Sequence, residues 1–234
     1  MNRLSCLLLA AAACALAQAP QTPPAAGTPA ARPDGLYAIF TTSMGTITAQ
    51  LFEKETPLTV RNFVALAKGT KAWSDPKTKA MVRRPLYDNI TFHRIMMDGM
   101  IQAGDPTGTS EHQCGVHVPD EIRPTIKFDK PGRLAMANTG SKNTAGCQWF
   151  ITQASPIPSY DGDFTIFGQV IEGQDVVKAI SRVPGAPLQG GGMKPKTPVK
   201  LISVKIERVG PEPAPAPARK SAPAAKKSAA PAKQ

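Results

Sequence analysis

Ile202, Val204 and Ile206 alternate with Ser203, Lys205 and Glu207. A period of two puts the apolar side chains on one face of a strand and the polar ones on the other. β-rich runs at 36–42 and 46–52, joined by Ser43-Met44-Gly45, read as an opening hairpin. Further strand-like runs follow at 90–96, 100–104, 132–138, 148–153 and 164–171, separated by stretches rich in Gly, Pro and Asp. Only two stretches read as helix. In the first, Thr56 and Pro57 supply an N-cap and a first-turn proline, Val60, Phe63, Val64 and Ala67 recur at helical spacing, and Gly69 closes the segment. The second begins near Gln174 and buries Val176, Val177 and Ile180. Many short strands with two helices predict a mainly β protein, a closed antiparallel barrel rather than an open α/β sheet. Residues 68–85 carry Lys71, Lys77, Lys79, Arg83 and Arg84 with little periodicity, and read as a long exposed loop.

The two ends of the chain differ from its middle. Met1-Asn2-Arg3, an apolar run and Ala15-Leu16-Ala17 form a leader over 1–17, too short to span a bilayer comfortably and matching a secretory signal. A lipoprotein anchor at Cys14 ranks second. Residues 18–34 are Ala, Pro, Thr and Gln with almost no large apolar side chain, the composition of a linker. Residues 210–234 set Arg219, Lys220, Lys226, Lys227 and Lys233 against Glu212 alone, which predicts a solvated cationic tail able to touch anionic surfaces. The tail lacks the interleaved aromatics that stack bases, so specific nucleic-acid binding is not expected. The folded domain is expected at 35–209, enough for one core, in a monomer that is periplasmic or secreted. Removal of the leader takes Cys6 and Cys14 and leaves Cys114 and Cys147, an even pair compatible with one disulfide.

The chemistry concentrates in two stretches. The first runs from Phe92-His93-Arg94 through Met100 and Gln102 to Gly104-Asp105; the second from Met136-Ala137-Asn138 to Gln148-Trp149-Phe150-Ile151. Neither holds a nucleophile with its base, a set of metal ligands or a phosphate-cradling glycine loop, so neither metal nor cofactor is expected. Together they supply an apolar pocket edged by amides and one guanidinium. That combination suits a reaction in which no covalent bond is made or broken.

Both stretches resemble the two signature segments of the cyclophilins, peptidyl-prolyl cis/trans isomerases, and the resemblance extends over 37–209. It implies an eight-stranded antiparallel barrel capped by two helices, acting on proline-containing polypeptides. By the same resemblance Arg94 is the catalytic donor to the proline nitrogen, and Met100 and Phe150 wall the proline seat. Gln102, Gln148 and the backbone at Ala137 and Asn138 hold the substrate, and His93 stands beside the arginine. Alternation along 148–151 sends Gln148 and Phe150 to one face and Trp149 to the core.

Some positions depart from the family pattern. Gly99 replaces a phenylalanine beside the pocket, Ser159 stands where many members have a tryptophan, and Tyr160 and Phe164 replace a leucine and a histidine. The seat is therefore expected to be wider or wetter, with Tyr160 and Phe164 partly refilling it. The cyclophilin arrangement brings the segments carrying Cys114 and Cys147 side by side, which leaves a disulfide and two free thiols both open. Three functions remain in view: an isomerase assisting the folding of exported proteins, a proline-gripping module without turnover, and an envelope scaffold.

Overall fold

The structure, a computed structural model, describes residues 32–212. The leader at 1–17, nearly all of the 18–34 linker and nearly all of the 210–234 tail lie outside the described residues. The elements run β1 (Gly35–Thr42), β2 (Gly45–Leu51), α1 (Pro57–Ala67), β3 (Trp73–Ser74), β4 (Met81–Val82), β5 (Ile90–Thr91), β6 (Arg94–Met96) and β7 (Met100–Ala103). There follow β8 (Arg133–Met136), β9 (Trp149–Thr152), a 3-10 turn (Pro158–Tyr160), β10 (Ile166–Glu172), α2 (Gln174–Ser181), β11 (Gly185–Pro187), β12 (Met193–Pro195) and β13 (Lys200–Val209).

Eleven strands form one antiparallel sheet in the order β11-β12-β6-β7-β9-β8-β10-β2-β1-β13-β5. The 90–96 run, read from sequence as one strand, is divided because its two halves pair with different neighbours. Ile90 and Thr91 face Leu201 and Lys200, and the Phe92 N–H donates to the Val199 carbonyl (3.0 Å). The next residue turns to the other side, the His93 N–H donating to the Gln102 carbonyl (3.1 Å). The strand at one edge of the sheet, β5, and the third strand from the other edge, β6, are thus joined by Phe92 and His93.

Side chains on one face of the sheet build the main core. Ile95, Ile101, Ile151, Leu134 and Phe167 are all 0 % exposed there. Trp149 packs among Phe40 (ring centroids 4.9 Å), Tyr87 (6.1 Å) and Phe92 (6.1 Å), which confirms it as core. From α1, Phe63 stacks on Tyr87 at 5.2 Å and meets Phe167 at 5.1 Å. From α2, Val177 and Ile180 are fully buried, while Val176 is only partly so. Gly173 opens α2 at φ +82°, and a Cβ there would lie 2.3 Å from the Thr46 carbonyl oxygen, so only glycine lets the helix dock this closely on β2.

Two local expectations are corrected. Thr56 makes no side-chain cap on α1, its hydroxyl donating instead to the Phe52 carbonyl (3.0 Å). The cap comes from Glu121, whose carboxylate accepts the N–H groups of Leu58 (3.2 Å) and Thr59 (2.8 Å), a charge well placed at a helix N-terminus. The 68–85 stretch is not a free loop either. β3 pairs with β4, Trp73 is 1 % exposed and donates to the Arg84 carbonyl (2.9 Å), and the Arg84 guanidinium lies 4.8 Å over its ring.

Candidate active site

Pairing across β6, β7, β9 and β8 places Arg94 opposite Gln102, Gln102 opposite Phe150, and Phe150 opposite Ala135. Because successive residues point to opposite faces, this row lies on the face away from Ile95, Ile101, Ile151 and Leu134. Met96 and Met100 form the neighbouring pair of the same face. A second apolar cluster grows there around Met100, Phe128, Ala135, Phe150 and Ile166. It floors a cleft of about 230 Å³ that Arg94, Met100, Gln102, Ala137, Asn138, Gly140, Phe150, Tyr160 and Phe164 line.

Eight of the ten residues expected at the site line this cleft, and two do not. His93 is 1 % exposed and faces inward, and neither of its ring nitrogens has a hydrogen-bond partner among the described residues. Burial pushes its pKa down to about 4, so the imidazole is neutral near pH 7. Gln148 is 4 % exposed and its amide is fully committed. Its Nε2 donates to the carbonyls of Ser110 (3.1 Å) and His112 (3.2 Å), and its Oε1 accepts from Gln102 Nε2 (2.9 Å). Both residues lie behind the cleft lining.

A chain of hydrogen bonds runs from Gln148 to the guanidinium. Gln102, its nitrogen fixed by Gln148, presents Oε1 to Arg94 Nη1 (3.1 Å). Arg94 Nε donates to the Gly191 carbonyl (3.0 Å), and Nη2 approaches Met96 Sδ (3.9 Å). Three of the five guanidinium N–H groups are thus engaged within the protein, and two are left at the cleft. The loop behind Gln148 hangs on Asp105, whose carboxylate accepts from Thr107 N–H (2.7 Å), Thr107 Oγ1 (2.7 Å) and His112 N–H (3.3 Å). Burial raises the Asp105 pKa, but these donors outweigh it and hold the carboxyl below its ordinary value. The same loop is joined covalently to the residue before Gln148 by a Cys114–Cys147 disulfide, Cα atoms 6.2 Å apart, which decides between the two states left open from sequence.

The apolar seat is built from more rings than the sequence indicated. Phe128 stacks on Phe150 at 6.0 Å and 10°, with Phe164 (5.3 Å) and Tyr160 (6.0 Å) edge-on to Phe150. Tyr160 and Phe164 do refill the space, joined by Phe128, which had no local signal because it belongs to a segment without periodicity. Gly99 closes the β6–β7 turn, its N–H donating to the Met96 carbonyl (2.8 Å), and a Cβ there would lie 2.9 Å from Met96 Cβ. Asn138 donates its side-chain amide to the Asp163 carbonyl (2.8 Å) and accepts from the Gly140 N–H (3.0 Å). Its own backbone N–H meets no acceptor among the described residues. The neighbouring Ala137 N–H is used by the Gln148 carbonyl (3.0 Å).

An apolar seat beside a fixed guanidinium, on the outer face of an antiparallel sheet, is an arrangement suited to gripping and polarising a substrate rather than to covalent attack. The family model described as "Cyclophilin type peptidyl-prolyl cis-trans isomerase/CLD" matches residues 37–206, and the chain belongs to that family of enzymes. It is 43 % identical over 171 residues to peptidyl-prolyl cis-trans isomerase A of Mycobacterium tuberculosis, covering 72 % of this chain and 91 % of the relative. It is 40 % identical over 174 residues to peptidyl-prolyl cis-trans isomerase B of Streptomyces anulatus, covering 74 % and 97 %. A crystal structure of a Cryptosporidium parvum cyclophilin-type isomerase, solved in the presence of the dipeptide ala-pro, superposes with a TM-score of 0.62 at 29 % identity, covering 74 % of this chain and 99 % of that one. Among the described residues, no helix is long and apolar enough to cross a membrane.

Proposed function

We propose that the 35–209 domain turns X-Pro bonds of incompletely folded polypeptides and that it does so for exported proteins, as a monomer outside the cytoplasm. The observation that carries the catalytic reading is the Arg94 guanidinium, held at Nε by Gly191 and at Nη1 by Gln102, on the edge of an apolar seat.

Turning a peptide bond costs its resonance, a barrier of about 18–20 kcal/mol. For X-Pro bonds the two isomers are close in energy, so the uncatalysed exchange over tens to hundreds of seconds is set by that barrier. In the twisted state the proline nitrogen regains a lone pair. A guanidinium N–H directed at that nitrogen binds the twisted state better than either planar one, which is the condition for acceleration. Met100, Phe150 and Phe164 take the proline ring, and the Asn138 N–H is available to an extended substrate backbone, so that one side of the bond is held while the other turns. The ala-pro dipeptide used with the Cryptosporidium parvum relative is the minimal ligand of this kind.

Export rests on the 1–17 leader pattern and on the Cys114–Cys147 disulfide, a bond that persists in oxidising compartments. The cationic tail adds a salt-sensitive attraction to anionic surfaces. The expected outcome of Arg94→Ala is a fall of at least about tenfold in kcat/KM on an Ala-Pro peptide, equivalent to roughly 1.4 kcal/mol of transition-state stabilisation. Equal rates from folded wild type and variant would remove Arg94 from the mechanism.

A further inference from the structure

A second cleft, about 580 Å³, lies between α1, the 70–72 and Arg83 edges of the β3–β4 region, and the 117–119 segment. Its lining includes Arg61, Lys71, Arg83 and His117 and no carboxylate, and it shares no lining residue with the proline cleft. Leu58, Ala65, Ala72, Val118 and Pro119 supply an apolar floor between these groups.

Some cations of the domain are neutralised directly by a carboxylate. Arg84, Arg133, Lys142, Arg182 and Arg208 each meet an acidic side chain within 3.2 Å. By contrast, no ion pair among the described residues joins Arg61, Lys71 or Arg83 to a carboxylate. Lys71 Nζ donates to the amide oxygen of Asn62 (2.6 Å), and Arg83 Nη1 to the Thr70 carbonyl (2.5 Å). Neutral acceptors aim these groups and leave their charge uncompensated. Partial burial pushes the Lys71 pKa down, so a neighbouring anion would relieve a cost already present.

The placement is built into the fold. Asn62 is itself fixed, its Nδ2 donating to the Gly146 carbonyl (2.9 Å), and Val118 bridges to Ala145. On the other side, the Asp75–Arg84 ion pair (2.6 Å) and the Trp73 bond to the Arg84 carbonyl hold the 70–84 stretch against the domain. The basic run that from sequence reads as a solvated face therefore converges, in part, on one concave surface.

We infer that this cleft docks a polypeptide segment carrying carboxylate side chains interspersed with apolar ones, independently of the proline site. The charge pattern selects carboxylates, and the apolar floor selects a segment with hydrophobic residues between them over a bare anion.

The test uses the full chain and fluorescence anisotropy with a labelled, proline-free peptide of alternating glutamate and leucine, beside a peptide with lysine in place of glutamate. Only the acidic peptide is expected to bind, more weakly as salt rises. Arg61→Glu with Arg83→Glu is expected to weaken binding at least tenfold, and the milder Arg61→Gln with Arg83→Gln to weaken it in the same direction. Both double variants should keep wild-type isomerase activity, which certifies their fold. Unchanged binding in the folded double variants would assign the attraction to the tail or to diffuse charge and overturn the inference. Loss of binding in Arg94→Ala would overturn it by moving the peptide to the proline cleft. Capture of anionic vesicles through the same residues, with no peptide binding, would overturn it as well.

Discussion

Gly192 shows how narrowly the Arg94 side chain is placed. It sits at φ +80°, and a Cβ there would lie 2.9 Å from the Ile95 carbonyl oxygen and 3.1 Å from Arg94 Nε. Gly190, at φ +86°, has nothing within 4 Å of the same point, so an alanine there carries the backbone strain without the contact. Gly192→Ala is expected to lower kcat several-fold with KM little changed, whereas Gly190→Ala costs only stability, a difference that peptide kinetics and urea titration of both variants will measure. His93 carries a prediction about pH. Its native pKa of about 4 lies below the ordinary value of 6.5, so between these two values the unfolded chain binds a proton that the native protein refuses. Stability should therefore fall as pH drops from about 6.5 to about 4, by about 3 kcal/mol from this residue, and change no further through it below that. Urea unfolding at steps across this window, with His93→Leu losing most of the slope, checks it. The inward position of His93 was within reach of the sequence. The alternation that separates Phe150 from Trp149 also separates Arg94 from its neighbour, so an outward arginine puts His93 inside. The carbonyl of Gly191 was not within reach, because a backbone acceptor 97 residues away leaves no side-chain signature.

Among the elements, those whose period repeats over several residues could be read directly. The β1–β2 hairpin, both helices and β13 fall within a few residues of their expected bounds, because their apolar spacing is fixed by one buried face. Pieces of two or three residues, such as β3, β4, β11 and β12, are too short to show a period, and contacts elsewhere hold them in place. The cap on α1 is a similar case, since Glu121 reaches Thr59 from 62 residues away. The 105–114 loop depends on a covalent tie as well as on Asp105. The disulfide closes a stretch with a sequence separation of 33, which in the chain-entropy picture stabilises the fold by about 3–4 kcal/mol. Dithiothreitol, or Cys114→Ser with Cys147→Ser, is expected to lower the urea midpoint accordingly; midpoints that coincide with and without reductant would show that the tie contributes nothing.

Across the described domain, the core and the candidate cleft are divided between the two faces of one sheet. Inward residues such as Ile101 and Trp149 hold the fold, while Arg94, Gln102 and Phe150 on the same strands face the cleft. The mainly β class was legible because strand signals outnumber helix signals; the way 90–96 serves two neighbours was not, since pairing partners are chosen in three dimensions. β1 and β13 pair along their whole length, Gly35 opposite Val209, so the two ends of the folded chain lie side by side. Where the backbone happens to start is then of little consequence to the sheet. A version rejoined from 209 to 35 by a short flexible connector and reopened between Lys77 and Thr78, in the exposed turn after Asp75, breaks none of its strand pairings. Such a circular permutant is expected to fold and to isomerise an Ala-Pro peptide at close to the parental rate, because the enzyme has the order of a loop and its termini are only one of several places where that loop could be cut.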